Sequence, residues 1–221
     1  MKKIISIVMS ALMTASLISC GKTETKTETK TEESSIANSE EKYSNLQGDW
    51  VVDFTSDNFN AKYTDLLKKV EDKTKSMGFK YEKKEVVREE NENYLSFEND
   101  KAQKDELQGL NFGRKIFGND LSSGQITMKI LYNFDGKKAL NNSKFDFGDT
   151  PVAKYAALFT NQSERDYSEI NKKIKETLNS EKGEGVIKSQ VNGLYEEFTV
   201  NKEYMVYVLE TKKYEFVKPN Q

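Results

Sequence analysis

Cys20 is the only thiol in the chain, and histidine does not occur. A thiol is a strong nucleophile and an acceptor for covalent groups. The absence of imidazole removes the commonest general base and the commonest transition-metal ligand together. Zinc sites, Ser-His-Asp triads and Cys-His dyads are thereby excluded, and no metal or cofactor is expected. Carboxylates are one class of reactive group left, and serine with lysine is another. The adjacent acids Glu196 and Glu197 have the residue types of a glycosidase pair, yet with 36 acidic residues in the chain such a pair has no diagnostic value. No Asp-x-Asp-x-Asp-Gly loop indicates calcium. Gly183-Glu184-Gly185 lacks the third glycine of a dinucleotide fingerprint and follows a helical pattern, so it reads as a turn.

A binding role has one candidate segment in the folded part. Between Gly109 and Gly124 the chain reads GLNFGRKIFGNDLSSG, which sets Phe112, Arg114 and Phe117 among four glycines. Read as a long glycine-punctuated loop, it would be a functional surface, since aromatic residues and arginine anchor interfaces. The competing reading tucks both phenylalanines into the core to hold the loop down.

Around Cys20 the pattern is more specific. Lys2 and Lys3 precede an apolar stretch from Ile4 to Leu17, the build of a secretory signal peptide. This stretch is too short for a spanning helix of about 20 apolar residues. Leu17-Ile18-Ser19-Cys20 resembles the lipobox of bacterial lipoproteins. The resemblance implies cleavage after Ser19, a diacylglyceryl group on the Cys20 thiol and acylation of the new amino terminus, palmitate being a typical chain. Two or more chains hold a protein stably on a membrane, each buried CH₂ contributing about 0.8 kcal/mol. The expected location is the cell envelope, outside the cytoplasm. If the cell has an outer membrane, Gly21 and Lys22 lack the aspartate associated with inner-membrane retention, which favours the outer one.

After Cys20, residues 22 to 33 repeat as KTET-KTET-KTEE. On a helix this period would stack like charges at i,i+4, and threonine weakens the helix further. No apolar side chain occurs before Ile36 to offset the ordering entropy, so residues 20–45 read as a lipidated cysteine with a disordered charged tether. Its 25 residues from Gly21 would span roughly 25–30 Å. Loss of residues 1–19 removes two of the 34 basic residues and none of the 36 acidic ones, leaving a formal charge of −4. With only Arg88, Arg114 and Arg165 as arginines, no basic face for nucleic acid is expected. No disulfide is available once the thiol carries lipid.

The elements that would position these residues are read from periodicity. Trp50, Val52 and Phe54 alternate, predicting a strand over 49–55. Ser56-Asp57 offers an N-cap to a helix over 58–77 with Phe59, Tyr63, Leu66, Leu67, Val70 and Met77 on one face. A strand from Phe79 to Val87, polar turn material at Glu90 to Asn93 and a partner strand Tyr94 to Phe97 form a hairpin. Ile126, Met128, Ile130, Tyr132 and Phe134 give the clearest strand, with Gln, Thr and Lys mostly between them. A loop with a short strand at Phe145 and Phe147 should follow. Thr150-Pro151 opens a helix to Thr160, and Ser163 another that reaches Gly183. Strands over 185–191, 194–200 and 203–211 close the chain, the last apolar on both faces and so central. Tyr63–Asp72 and Tyr167–Glu176 resemble each other at an offset of 104; two ordinary amphipathic helices explain this, and an internal duplication is the alternative.

These readings predict one α+β domain over 46–221, a mostly antiparallel sheet flanked by two or three amphipathic helices. Ser39-Glu40-Glu41-Lys42 and Ser56-Asp57-Asn58 each match one element of the penicillin-binding set. No Lys-Thr-Gly completes it, and Ser39 falls in the tether. The expected role is therefore a non-catalytic binding or interaction module, with membrane lipid held through Cys20 and an envelope protein or polymer as partner. Two alternatives stay open: an envelope hydrolase using carboxylates or a Ser-Lys pair, and a carrier of a small apolar ligand between sheet and helices.

Overall fold

The computed structural model describes residues 42–87, 91–118, 120–141 and 144–218. The signal-like segment, Cys20, the charged repeat and Ser39 lie outside the described residues, as do Arg88 and the Asn142-Ser143 part of the expected loop. No helix among the described residues is long and apolar enough to cross a membrane.

The fold is α+β. Helix α1 (Ser56–Ser76) is followed by four strands, β1 (Glu82–Val87), β2 (Asn91–Glu98), β3 (Glu106–Phe117) and β4 (Ser123–Asn133). A short helix α2 (Gly136–Asn141), a 3-10 turn at Phe147–Asp149, α3 (Pro151–Thr160) and α4 (Ser168–Asn179) come next. Three long strands, β5 (Gly185–Val191), β6 (Leu194–Val200) and β7 (Met205–Glu210), and the two-residue β8 (Tyr214–Glu215) complete the chain. The sheet is antiparallel throughout, in the order β1-β2-β3-β4-β7-β6-β5, with β8 pairing the start of β4. As its apolar run predicts, β7 is an inner strand, joining the first meander to the second.

Helices α1 and α3 begin where the chain supplies a side-chain cap. The Thr150 hydroxyl accepts from the Ala153 amide, and Pro151 stands at a first-turn position where no amide is needed. For α1 the cap is Thr55, which accepts from the Asn58 amide, one residue before the expected Ser56-Asp57. The last helix starts at Ser168, five residues later than its sequence signal at Ser163.

Helices α1, α3 and α4 cover one face of the sheet, and the core lies between. Even positions of β4, from Ile126 to Tyr132, turn inward, as do Phe112 on β3, Phe198 on β6 and Tyr207 on β7. Aromatic edges interlock: Phe112 stacks with Tyr63 of α1 at 5.6 Å and meets Phe159 of α3 edge-on at 5.8 Å. Phe147 meets Phe198 at 5.1 Å and Tyr167 at 5.1 Å. Truncating one such ring to alanine costs about 3–5 kcal/mol.

Three expectations are corrected. Residues 49–55 form no strand. Trp50 and Phe54 are buried as plugs while Val52 is exposed, and the Val51 amide turns back to the Gly48 carbonyl. The Trp50 indole donates to the Phe159 carbonyl at 3.1 Å, and the Tyr214 hydroxyl donates to the Trp50 carbonyl at 2.6 Å. Two rings on one short turn mimic the alternation of a strand. Residues 109–124 are no loop but most of β3, a tight turn and the start of β4. The glycines there make room for neighbours: a Cβ at Gly124 would come within 2.7 Å of the Phe59 and Phe216 rings. Finally, Phe147 sits in a 3-10 turn instead of a strand.

The two similar helices open the same order of elements. At the shared offset, α4, β5 and β6 correspond to the later part of α1, to β1 and to β2. Their docking differs, since α4 packs on β5 and β6 whereas α1 packs on β3 and β4.

Candidate functional site

Strand pleating divides the three sequence-predicted binding residues. Phe112 is fully buried among Tyr63 and Phe159. Arg114 lies on the same side, at the seam of α1 and β3, where Nη1 donates to Asn60 Oδ1 and the guanidinium carbon stands 5.0 Å from the Tyr63 ring centre. Its Nε is buried without a partner. Phe117 turns to the opposite face, its ring 4.9 Å from the Lys213 ammonium. The three do not converge, and Cys20 lies outside the described residues.

The acids Glu196 and Glu197 are likewise separated. Glu196 points into the helix side with no solvent exposure, held by Arg165 through two hydrogen bonds of 2.6 and 2.8 Å and by the Tyr207 hydroxyl at 2.8 Å. Glu197 points to the opposite face, where it accepts from the Tyr195 hydroxyl at 2.6 Å. Adjacent residues of one strand cannot flank a common bond, so this pair does not form a glycosidase site. Depressions on the helix side are open and shallow, lined mostly by polar residue types whose apolar stems contribute much of the surface. One of about 680 Å³ runs along α4 past Ser168, Lys172 and Glu176. Another of about 270 Å³ lies between Asp105, Lys138 and Asp149. There the Lys138 ammonium is bound to Asp105 at 2.6 Å, and no group of three or more acids among the described residues is arranged to hold a metal ion.

The sheet face turned away from α1, α3 and α4 is different in kind. Pairing fixes its side chains in rows across the strands. One row runs Lys84, Tyr94, Gly113, Thr127, Glu210, Tyr195, Gln190. The next runs Glu82, Ser96, Asn111, Lys129, Val208, Glu197, Lys188. A third brings Leu131, Val206 and Thr199 together. The inner residues of these rows are half-buried or buried, while Glu82 and Lys84 at the β1 edge and Val186, Lys188 and Gln190 at the β5 edge are exposed.

Part of this face is closed by the start of the described chain. The Tyr43 hydroxyl donates to Glu210 Oε1 at 2.7 Å and accepts from Gln125 Nε2 at 3.0 Å. Lys42 pairs with the same Glu210 carboxylate and stands 4.3 Å over the Tyr195 ring. Burial, reinforced by Glu210, pushes the Tyr43 phenol well above its usual range. Burial, reinforced by Glu197, does the same to Tyr195.

Lys129 occupies the middle of the uncovered part. It is half-buried and has neither an ion-pair nor a hydrogen-bond partner among the described residues. Burial alone pushes its ammonium below the ordinary lysine range. Its neighbours are otherwise: Lys115 pairs with Glu92 at 2.6 Å and Lys84 with Glu82 at 2.8 Å. The sequence carried a signal for this face. The Gln, Thr and Lys that alternate with the apolar residues of β4 are the reverse of the pattern that marks the core.

Compared with protein-family models, with curated proteins and with solved structures, the chain matches none.

Proposed function

We propose that the protein is a lipid-anchored, non-catalytic binding module of the bacterial cell envelope, held to the membrane through Cys20, and that the sheet face turned away from α1, α3 and α4 receives its partner. The observation that carries the binding surface is Lys129, a half-buried cation without a counter-ion at the centre of that face. Desolvating an unpaired charge is costly, and a partner that supplies the opposite charge recovers that cost on binding. The anchor is supported by Leu17-Ile18-Ser19-Cys20 following a signal-like segment.

The test is lysine acylation footprinting in native envelopes, compared with the purified full chain. Lys84, Lys115, Lys129 and Lys188 report this sheet face, while Lys68, Lys69, Lys172 and Lys173 report the outer faces of α1 and α4. Protection of the first group alone is expected. Protection confined to the helix lysines, or equal labelling in both settings, refutes the assignment of the binding face. An unchanged lipid mass on Cys20→Ala refutes the anchor.

A further inference from the structure

We propose that Lys129 is the anion-binding centre of the sheet face turned away from α1, α3 and α4 and that the group it takes is a side-chain carboxylate of an extended polypeptide, an inference resting on the reading of that face as the binding surface.

The surroundings of Lys129 define the ligand. Asn111 on β3 and Val208 on β7 stand directly opposite it, and Thr127 and Leu131 flank it along β4. A carboxylate above the ammonium would receive one charge-assisted hydrogen bond from Lys129, with the Asn111 amide as a neighbouring donor. Leu131 and Val208, both half-buried, give apolar contact for the side chains that flank an acid in an extended chain.

Charge complementarity selects a single carboxylate over a polyanion. Glu197 lies in the same row, one strand beyond Val208, and Glu210 one row away on β7. Neither acid pairs with Lys129: Glu197 accepts from the neutral Tyr195 hydroxyl and keeps its charge, while Glu210 is held by Lys42 and Tyr43. A run of phosphates laid across the face would bring its neighbouring charges against them, whereas one acid between uncharged residues would not. Lysine also offers a point charge and lacks the fork with which arginine grips phosphate.

The probes are two acetylated, amidated five-residue peptides of threonine and valine, one with a central glutamate and one with glutamine, together with inorganic polyphosphate. The protein is the full chain carrying Cys20→Ala. Binding is followed by titration, with lysine ¹³Cε signals reporting the site. The glutamate peptide should bind about fivefold tighter than the glutamine peptide, the scale of one partly shielded ion pair. That ratio should fall to about one in Lys129→Met and persist in Lys129→Arg. Equal affinities in the native chain, a ratio unchanged by Lys129→Met, or no binding of either peptide overturns the inference. Tighter binding of polyphosphate than of the glutamate peptide overturns the carboxylate assignment. If envelope footprinting protects the lysines of this sheet face while the peptide ratio is one, the binding face stands and only the carboxylate site falls.

Discussion

Arg165→Met should be among the most damaging single substitutions outside the aromatic core. Glu196 has no solvent exposure, and Arg165 occupies both of its oxygens. Methionine approximates the volume of the arginine stem but leaves a carboxylate inside the protein with the Tyr207 hydroxyl as its one remaining partner. Breaking a buried pair in this way costs about 3–5 kcal/mol. That is a large share of the roughly 5–15 kcal/mol that holds a domain folded. In urea, with a slope of about 2 kcal/mol/M, the midpoint should fall by about 1.5–2.5 M. Adding Glu196→Gln removes the stranded charge while keeping an acceptor for Tyr207. The double variant should therefore recover at least about 2 kcal/mol relative to Arg165→Met, because replacing both members of a buried pair is far less costly than removing one. Urea denaturation of the four chains of this cycle provides the measurement. If the double variant is as unstable as Arg165→Met, the loss comes from packing against Tyr167, whose ring lies 4.6 Å from the guanidinium carbon, and the electrostatic account is wrong.

Glu71 supplies an acid-sensitive contribution. Lys75, Tyr81 and Lys83 hold its carboxyl at about 2, below the ordinary 4.5. The native state thus binds fewer protons than the unfolded state across that window, so this contribution is present above pH 4.5 and is lost as the pH falls towards 2. Glu71→Gln should flatten the acid limb of a stability–pH curve by about 1 kcal/mol, after discounting for solvent screening, and an unchanged limb would show that the cluster adds nothing. Thr150→Ala removes the cap of α3 and should lower stability by about 1 kcal/mol, or about 2–4 °C in thermal melting. Gly124→Val should prove more damaging than Thr150→Ala, since its side chain would enter the space of Phe59 and Phe216; equal melting temperatures for the two variants would contradict that packing.

Local pattern served the sequence reading well where one physical cause acted alone. Even positions of β4 face a core and odd ones do not, so alternation located the strand. Thr150-Pro151 has few other uses than opening a helix, and it does so. Errors arose where a residue type serves two purposes. Glycines of β3 and β4 were read as punctuation, yet a Cβ at Gly113 would lie 2.8 Å from that of Tyr94, and Gly124 admits two aromatic rings. Trp50 and Phe54 are core residues carried on a turn, and three alternating positions do not distinguish that from a strand. The pairing of β4 with β7, about 75 residues apart in the chain, leaves no local mark. The candidate binding face depends on that pairing, because it brings Asn111, Lys129 and Val208 into one row.

The described chain joins its fold across the sheet face, from the inner strand β7 to the edge strand β5. Lys42 and Tyr43 grip Glu210 of β7, and the Gln190 side chain donates to the Ser44 carbonyl at 2.9 Å. A pull along the chain from its amino-terminal side would meet these side-chain clamps before any ladder of the sheet. Behind them, the Trp50 indole bonded to α3 and the Tyr214 hydroxyl bonded to the Trp50 backbone form a second stop. Under mechanical load the segment from Lys42 to Trp50 would behave as a sacrificial strap, yielding in stages and leaving the eight-stranded sheet intact.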